Sequence, residues 1–206
     1  MSTFPPKSTF GKTSLWQWLR AAWEVCKSPE CTPRESTFPT ALPRPAIRWI
    51  DEGRVALRQF DFENDADAVC DFQKETYSLN FADFRYTDNF SRAFRHDLRR
   101  ATLDANNGIF VLQQHPSGKV AGFLWLIVYQ NHWTGEYYGY VNNLYLSPAL
   151  RGRGLGRELM AQVDDFFRGR GVRSVRLSVT VSNEAATHLY ESCGFQTMRW
   201  EMEKKL

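Results

Sequence analysis

The chain has 206 residues, 43 % of them hydrophobic, enough for one sizeable domain with a buried core plus an appendage. A net charge of +3 is too mild for the concentrated basic face of a nucleic-acid binder. Cys26, Cys31, Cys70 and Cys193 are too few for a disulfide scaffold at this length, and Cys26 and Cys31 have no second Cys or His pair beside them, so no metal site is expected. No apolar run reaches the ~18 residues of a membrane span, and the N-terminus lacks the apolar segment and cleavage site of a secretory signal. A cytoplasmic protein with free thiols is expected.

Residues 1–13 are small and polar, with Pro5 and Pro6, and read as disordered. Ser14 and Gln17 have the S-x-x-Q spacing of a capping box. Leu15, Trp18, Leu19, Ala22, Trp23 and Cys26 then recur at three- and four-residue steps, which predicts a helix over 14–26. Beyond it, Pro29, Pro33, Pro39, Pro43 and Pro45 predict an extended linker. Residues 1–45 are therefore expected to be an arm, a short amphipathic helix on a proline-rich tether. It could dock on its own domain, a partner subunit or a membrane surface. FGKTS resembles the end of a phosphate-binding P-loop, but the first glycine of that motif falls at Pro6, and the motif fails.

The main domain is expected over 46–206. RVALRQF alternates as a strand does. Residues 65–81 and 87–105 read as helices, the second with Phe90, Phe94, Leu98 and Ala101 on one side. IFVLQQ, KVAGFLWLIVYQ and YYGYVNNLYLS read as three strands separated by the turns HPSGK and NHWTGE. A helix over 154–168 comes next, closed by Gly169 and Gly171. Then come the strand VRSVRLSVTV, a short helix over 183–192 ended by Gly194, and a terminal strand FQTMRWEMEKKL. Strands joined by short turns pair antiparallel, whereas the strands on either side of the 154–168 helix are joined by a crossover that permits parallel pairing. The predicted class is α/β: a mixed, mostly antiparallel sheet flanked by helices, with an N-terminal helical arm.

At the mouth of the 154–168 helix, LSPALRGRGLGRELM alternates arginine with glycine. A helix N-terminus leaves N–H groups without partners and carries partial positive charge, and glycines let an anion come close. The pattern suits a phosphate or diphosphate. No G-K-[ST] closes it and the preceding strand opens no βαβ unit, so it is neither a P-loop nor a dinucleotide fingerprint. LYLSPALRGRGLG instead resembles the R-x-x-G-x-G signature of the GNAT superfamily of acetyl-CoA-dependent N-acetyltransferases, read here as Arg151, Gly154 and Gly156. SNEAATHLYESCGF resembles the family's second signature, with Asn183, Ala186, Leu189, Tyr190, Gly194 and Phe195 in its places. The resemblance covers about residues 47–206.

The resemblance implies acetyl-CoA as cosubstrate and no metal. Its diphosphate would meet the loop backbone of Arg151, Gly152, Arg153, Gly154, Leu155 and Gly156, with Arg157 a further contact. The strand before the loop would splay from its neighbour and bond the pantetheine arm through Leu144 and Leu146, and a backbone amide of that strand would polarise the thioester carbonyl. Asn183 would bond the coenzyme arm. Tyr190 would protonate the leaving thiolate as the acceptor amine attacks directly. Two positions depart from the pattern. Where branches of the family hold a glutamate, this chain has Asn142 and Ser178, and neither accepts a proton near neutral pH. Glu136 and His132, in the turn NHWTGE, are left as candidate bases.

The resemblance places the acceptor among Tyr77, Phe81, Phe84, Tyr86, Phe90, Trp133, Tyr137, Tyr138 and Tyr140, which suits a compact organic amine, aromatic or cationic. Arg92, Arg95, Arg99 and Arg100 read as a solvated helix face. The leading expectation is a small-molecule N-acetyltransferase. The alternatives are a protein lysine or N-terminal acetyltransferase and a weakly catalytic acyl-CoA-binding module. Antiparallel pairing of terminal strands would allow a homodimer.

Overall fold

A computed structural model describes residues 47–81 and 83–204. The predicted arm, with its helix over 14–26 and its linker, lies outside the described residues. These residues form β1 (Arg48–Ile50), β2 (Val55–Gln59), β3 (Asn107–Gln114), β4 (Val120–Gln130), β5 (Tyr137–Leu146) and β6 (Val175–Leu177), in one sheet in that order. The first five pair antiparallel, and β6 runs parallel to β5. Helices α1 (Phe62–Asn80) and α2 (Asp88–Ala101) lie between β2 and β3, α3 (Leu155–Arg168) makes the crossover from β5 to β6, and α4 (Glu184–Ser192) comes after β6.

Local chemistry sets these boundaries. The Asp61 carboxylate accepts from the amides of Glu63 and Asn64 at 3.0 and 3.3 Å and caps α1. Thr87 Oγ1 accepts from the Phe90 amide at 3.2 Å and caps α2. Arg58 on β2 grips the buried Asp65 of α1 in a two-point ion pair at 2.7 and 2.8 Å. Alternation along the strands divides the core into two layers. Ile109, Val111, Phe123, Trp125 and Tyr145 face α1 and α2 with Val69 and Leu98. Val55, Leu57 and Leu112 face the other way, with Leu150, Leu155 and Leu159.

Three expectations change. The three-residue β1 was not foreseen, being too short to show a period. The strand predicted over VRSVRLSVTV shrinks to Val175–Leu177. The predicted terminal strand does not form over the described residues: 195–204 are irregular, and Met198, Trp200 and Met202 are exposed. Alternation by itself makes no strand: this segment joins no ladder, although the outer edge of β6 has no strand partner among the described residues.

One irregularity positions the site. Trp125 pairs with Asn143 and Leu126 with Val141, so Asn142 is an extra residue on β5, a bulge. On the other side of β5, the ladder to β6 covers Gly139–Val175, Tyr140–Arg176 and Val141–Leu177, and then stops. The two chains part at the bulge and leave a cleft between residues 142–146 and the segment after Leu177.

Candidate active site at the parting of two strands

The cleft opens toward the glycine-arginine loop. Gly152 and Gly154 have φ of +72° and +79°, a conformation costly for any residue with a β-carbon, and a β-carbon at either position would meet nothing within 4 Å. Among the described residues, nothing accepts a hydrogen bond from the amides of Gly152, Arg153, Gly154, Leu155 or Gly156. The bonded ladder resumes only at Arg157, whose amide donates to the Gly154 carbonyl at 3.0 Å. A run of unpartnered amides at a helix mouth, in open space, is a seat for an anion with several oxygens.

Gly156 has a different task. A β-carbon there would lie 2.8 Å from Leu189 Cδ2, so this glycine lets α4 sit against the first turn of α3. The arginines of the loop are largely engaged with protein. Arg153 pairs with Asp51. Arg151 Nε donates to the Leu146 carbonyl at 2.8 Å, and its Nη2 lies 3.4 Å from Glu75 Oε1. Arg157 is exposed, and no described carboxylate pairs with it.

Past the bulge, Leu144 and Leu146 turn their side chains into the second core layer. Their backbone edge toward β6 has no ladder. The opposite face of β5 is clipped to α1. Asn142 Nδ2 donates to Asn143 Oδ1 at 2.7 Å, Asn143 Nδ2 to Gln73 Oε1 at 2.8 Å, and Tyr145 Oη to Glu75 Oε2 at 2.5 Å. Burial first, and then the Glu75 carboxylate, push the Tyr145 phenol up to about 12.

Asn183 Oδ1 accepts from the Ala186 amide at 3.2 Å and caps α4, while its Nδ2 faces Asn80 Oδ1 of α1 at 3.5 Å. Thus α4 bridges the end of α1 and the start of α3. Tyr190 lies one residue beyond Leu189, its ring 5.8 Å from that of Phe195. Burial, with a smaller contribution from Cys193, raises its phenol to about 12, and no described group bonds its hydroxyl. Cys193 itself is half-buried.

The structure brings together the loop, Leu144, Leu146, Asn183 and the α4 of Tyr190. It does not bring Glu136 and His132 to them. Both are exposed in the β4–β5 turn, and six residues of strand, roughly 20 Å, separate Glu136 from the bulge. Glu136 Oε2 accepts from Thr134 Oγ1 at 3.3 Å within that turn. Ser178 shares a hydrogen bond of 2.9 Å with Tyr140 Oη. Sequence reasoning missed Gln73, Glu75, Asn80 and Tyr145. Gln73 left a signal, since Ala66, Val69 and Gln73 form one helical stripe and a polar side chain occupies the last place, buried.

Among the described residues no helix is long and apolar enough to cross a membrane, and no group of three or more His, Cys, Asp or Glu is gathered to hold a metal ion.

The profile of the acetyltransferase (GNAT) family matches residues 67–195. A mycothiol acetyltransferase of Thermobifida fusca (strain YX) is 29 % identical over 193 residues, covering 91 % of this chain and 56 % of that protein. That of Amycolatopsis mediterranei (strain U-32) is 33 % identical over 156 residues, covering 74 % and 48 %. The chain thus spans about half the length of these curated relatives. Among solved structures, the tetramutant of BH1408 protein from Bacillus halodurans superposes with a TM-score of 0.64 at 18 % identity, over 73 % of this chain and 99 % of that one. The aminoglycoside acetyltransferase meta-AAC0020 from an uncultured soil metagenomic sample superposes with 0.57 at 14 % identity, over 76 % and 98 %. These likenesses concern the fold, while the family profile runs from α1 through α4, across more than half of the chain and both signatures. This chain belongs to the GNAT family of acetyltransferases.

Proposed function

We propose that the protein moves an acetyl group from acetyl-CoA to the amine of a small molecule, with Tyr190 as general acid. The observation that carries this reading is the run of unpartnered amides over Gly152–Gly156, opening on the free edge of β5 with α4 alongside. The relatives named mycothiol acetyltransferase, and the neighbours named aminoglycoside acetyltransferase, support a small-molecule acceptor. Residues 46–206 carry the chemistry.

Acetyl-CoA, the family's cosubstrate, supplies an activated acetyl thioester. The amides of Gly152–Gly156 bind its diphosphate, with Arg157 free to add charge. The backbone of Leu144 and Leu146 takes the pantetheine arm as a strand partner, and Asn183 bonds it from α4. A backbone amide of the bulged segment receives the developing charge on the carbonyl oxygen. The amine nitrogen forms its bond to the acetyl carbon as the carbon–sulfur bond breaks, and the Tyr190 proton goes to the departing sulfur. The amine loses its own proton to water, because Asn142 and Ser178 cannot take it and Glu136 and His132 lie far off. The free-base fraction of the acceptor therefore limits the rate below the amine's pKa.

Thermal unfolding with acetyl-CoA, desulfo-CoA and ATP tests the seat. A ligand at ~100 times its dissociation constant adds about 2.7 kcal/mol, a rise of several degrees for the two coenzyme forms. Gly154→Glu, which places a carboxylate where the diphosphate belongs, removes the rise. A folded Gly154→Glu protein that still binds would refute the assignment of the loop.

A further inference from the structure

The sheet face below the parting of β5 and β6 carries a cation that the acetyl-transfer chemistry does not use. Tyr138, Tyr140, Arg176 and Ser178 share that face by alternation, with Tyr140 paired to Arg176 across the ladder. Tyr129, the partner of Tyr138 on β4, completes a phenol platform, its ring 5.7 Å from that of Tyr138 and 6.0 Å from that of Tyr140. The guanidinium of the half-buried Arg176 lies 4.2 Å from the centre of the Tyr138 ring. That ring contact is its one interaction among the described residues, and no described carboxylate pairs with it.

Three carboxylates of α1 are engaged elsewhere. Glu75 is held by Tyr145 and Arg151, Asp67 by Arg95, and Glu63 by Arg99. Asp104, held by Asn106 and Asn107, acts on the Tyr129 end of the platform, and the guanidinium of Arg176 is left without a carboxylate partner among the described residues. One face of the Tyr138 ring is thus already covered by a cation. A guanidinium over a ring face keeps five N–H donors in a fixed fork, which can receive a carboxylate at two points. Counted along the strand, Tyr140 and Tyr138 stand two and four residues before the bulge, so the guanidinium lies roughly 7 to 13 Å from it. A compact chain spans that distance.

We propose that Arg176 determines specificity by binding a carboxylate on the acceptor, so that the preferred substrates are small amines with an acidic group at the far end. This rests on the acetyl-transfer reading and deepens it. The test is thiol release from acetyl-CoA with γ-aminobutyrate and ε-aminocaproate, against amino alcohols of the same chain lengths, whose amines have similar basicity. The full chain should favour the carboxylates at least tenfold in kcat/KM. Arg176→Met should erase that preference through KM while leaving the alcohols unchanged, and Arg176→Lys should restore part of it. Equal use of the two series, a loss in Arg176→Met that falls on both alike, or turnover of neither by a protein that binds acetyl-CoA overturns the inference. The comparison within the native chain decides even if the methionine variant does not fold. Failure to bind acetyl-CoA at all overturns the underlying reading instead, and the thermal-shift measurement detects that separately.

Discussion

Tyr190 carries a phenol that its surroundings keep neutral. Burial raises it to about 12, so at neutral pH it holds its proton and can give it away, but it cannot serve as a base. The raised value makes the phenol a weaker acid than in water, so its proton moves only as negative charge builds on the departing sulfur. Tyr190→Phe keeps the ring against Phe195 and deletes only the hydroxyl. It should lower kcat at least tenfold and leave the dissociation constant of desulfo-CoA within about twofold, since a lost proton donor costs roughly 10²-fold or more in such steps. The native kcat/KM should climb with pH toward the amine's pKa and show no fall due to Tyr190 below pH ~11. Full activity in Tyr190→Phe from pH 6 to 9 would remove this residue from the mechanism.

At the scale of elements, α4 carries Tyr190, is capped by Asn183 and packs on the first turn of α3, and Gly156 is what admits it. Gly156→Ala would put a methyl 2.8 Å from Leu189 Cδ2 and 3.1 Å from Cδ1, so α4 must retreat or Leu189 must turn. The amide of residue 156 survives the change. The expected outcome is a fall in kcat with little change in coenzyme affinity, and partial recovery when Leu189→Ala is added, a coupling that steady-state kinetics on the four proteins would measure. Additive losses would mean that this contact does not position α4. The start of α3 and the loop before it were legible in the sequence because their signals are local: glycines at a helix mouth and an amphipathic run behind them. The bulge at Asn142 was not, since it depends on which β4 residue each β5 residue meets. Nor were Gln73, Glu75 and Asn80 legible as site residues, because their partners stand 70 residues or more away in the chain. The tail of Met198, Trp200 and Met202 shows the opposite failure, a strand-like alternation that pairs with no described strand although the outer edge of β6 has no strand partner among the described residues.

Across the whole molecule, the same clips that frame the cleft tie α1 to the sheet, and one of them can be switched by pH. Tyr145 stacks on Phe72 at 4.6 Å and donates its hydroxyl proton to Glu75. Its phenol sits at about 12 in the folded chain against 10.0 as the ordinary value. Folding therefore favours the protonated phenol. The stability this lends is complete below pH ~10 and drains away as pH rises through about 12, because the unfolded chain releases its proton first. Tyr145→Phe retains the stacked ring and loses the bond to a charged acceptor. At neutral pH it should be less stable by ~1–3 kcal/mol in denaturant unfolding. With the phenol gone, its stability should decline less steeply above pH 10, so the gap to the native protein should narrow between pH 10 and 12. Tyr190, equally raised, is unchanged in the comparison and cancels. A gap that stays constant to pH 11.5 would mean that the hydroxyl of Tyr145 contributes nothing that ionisation can remove, and the clip between α1 and β5 would then rest on ring packing alone.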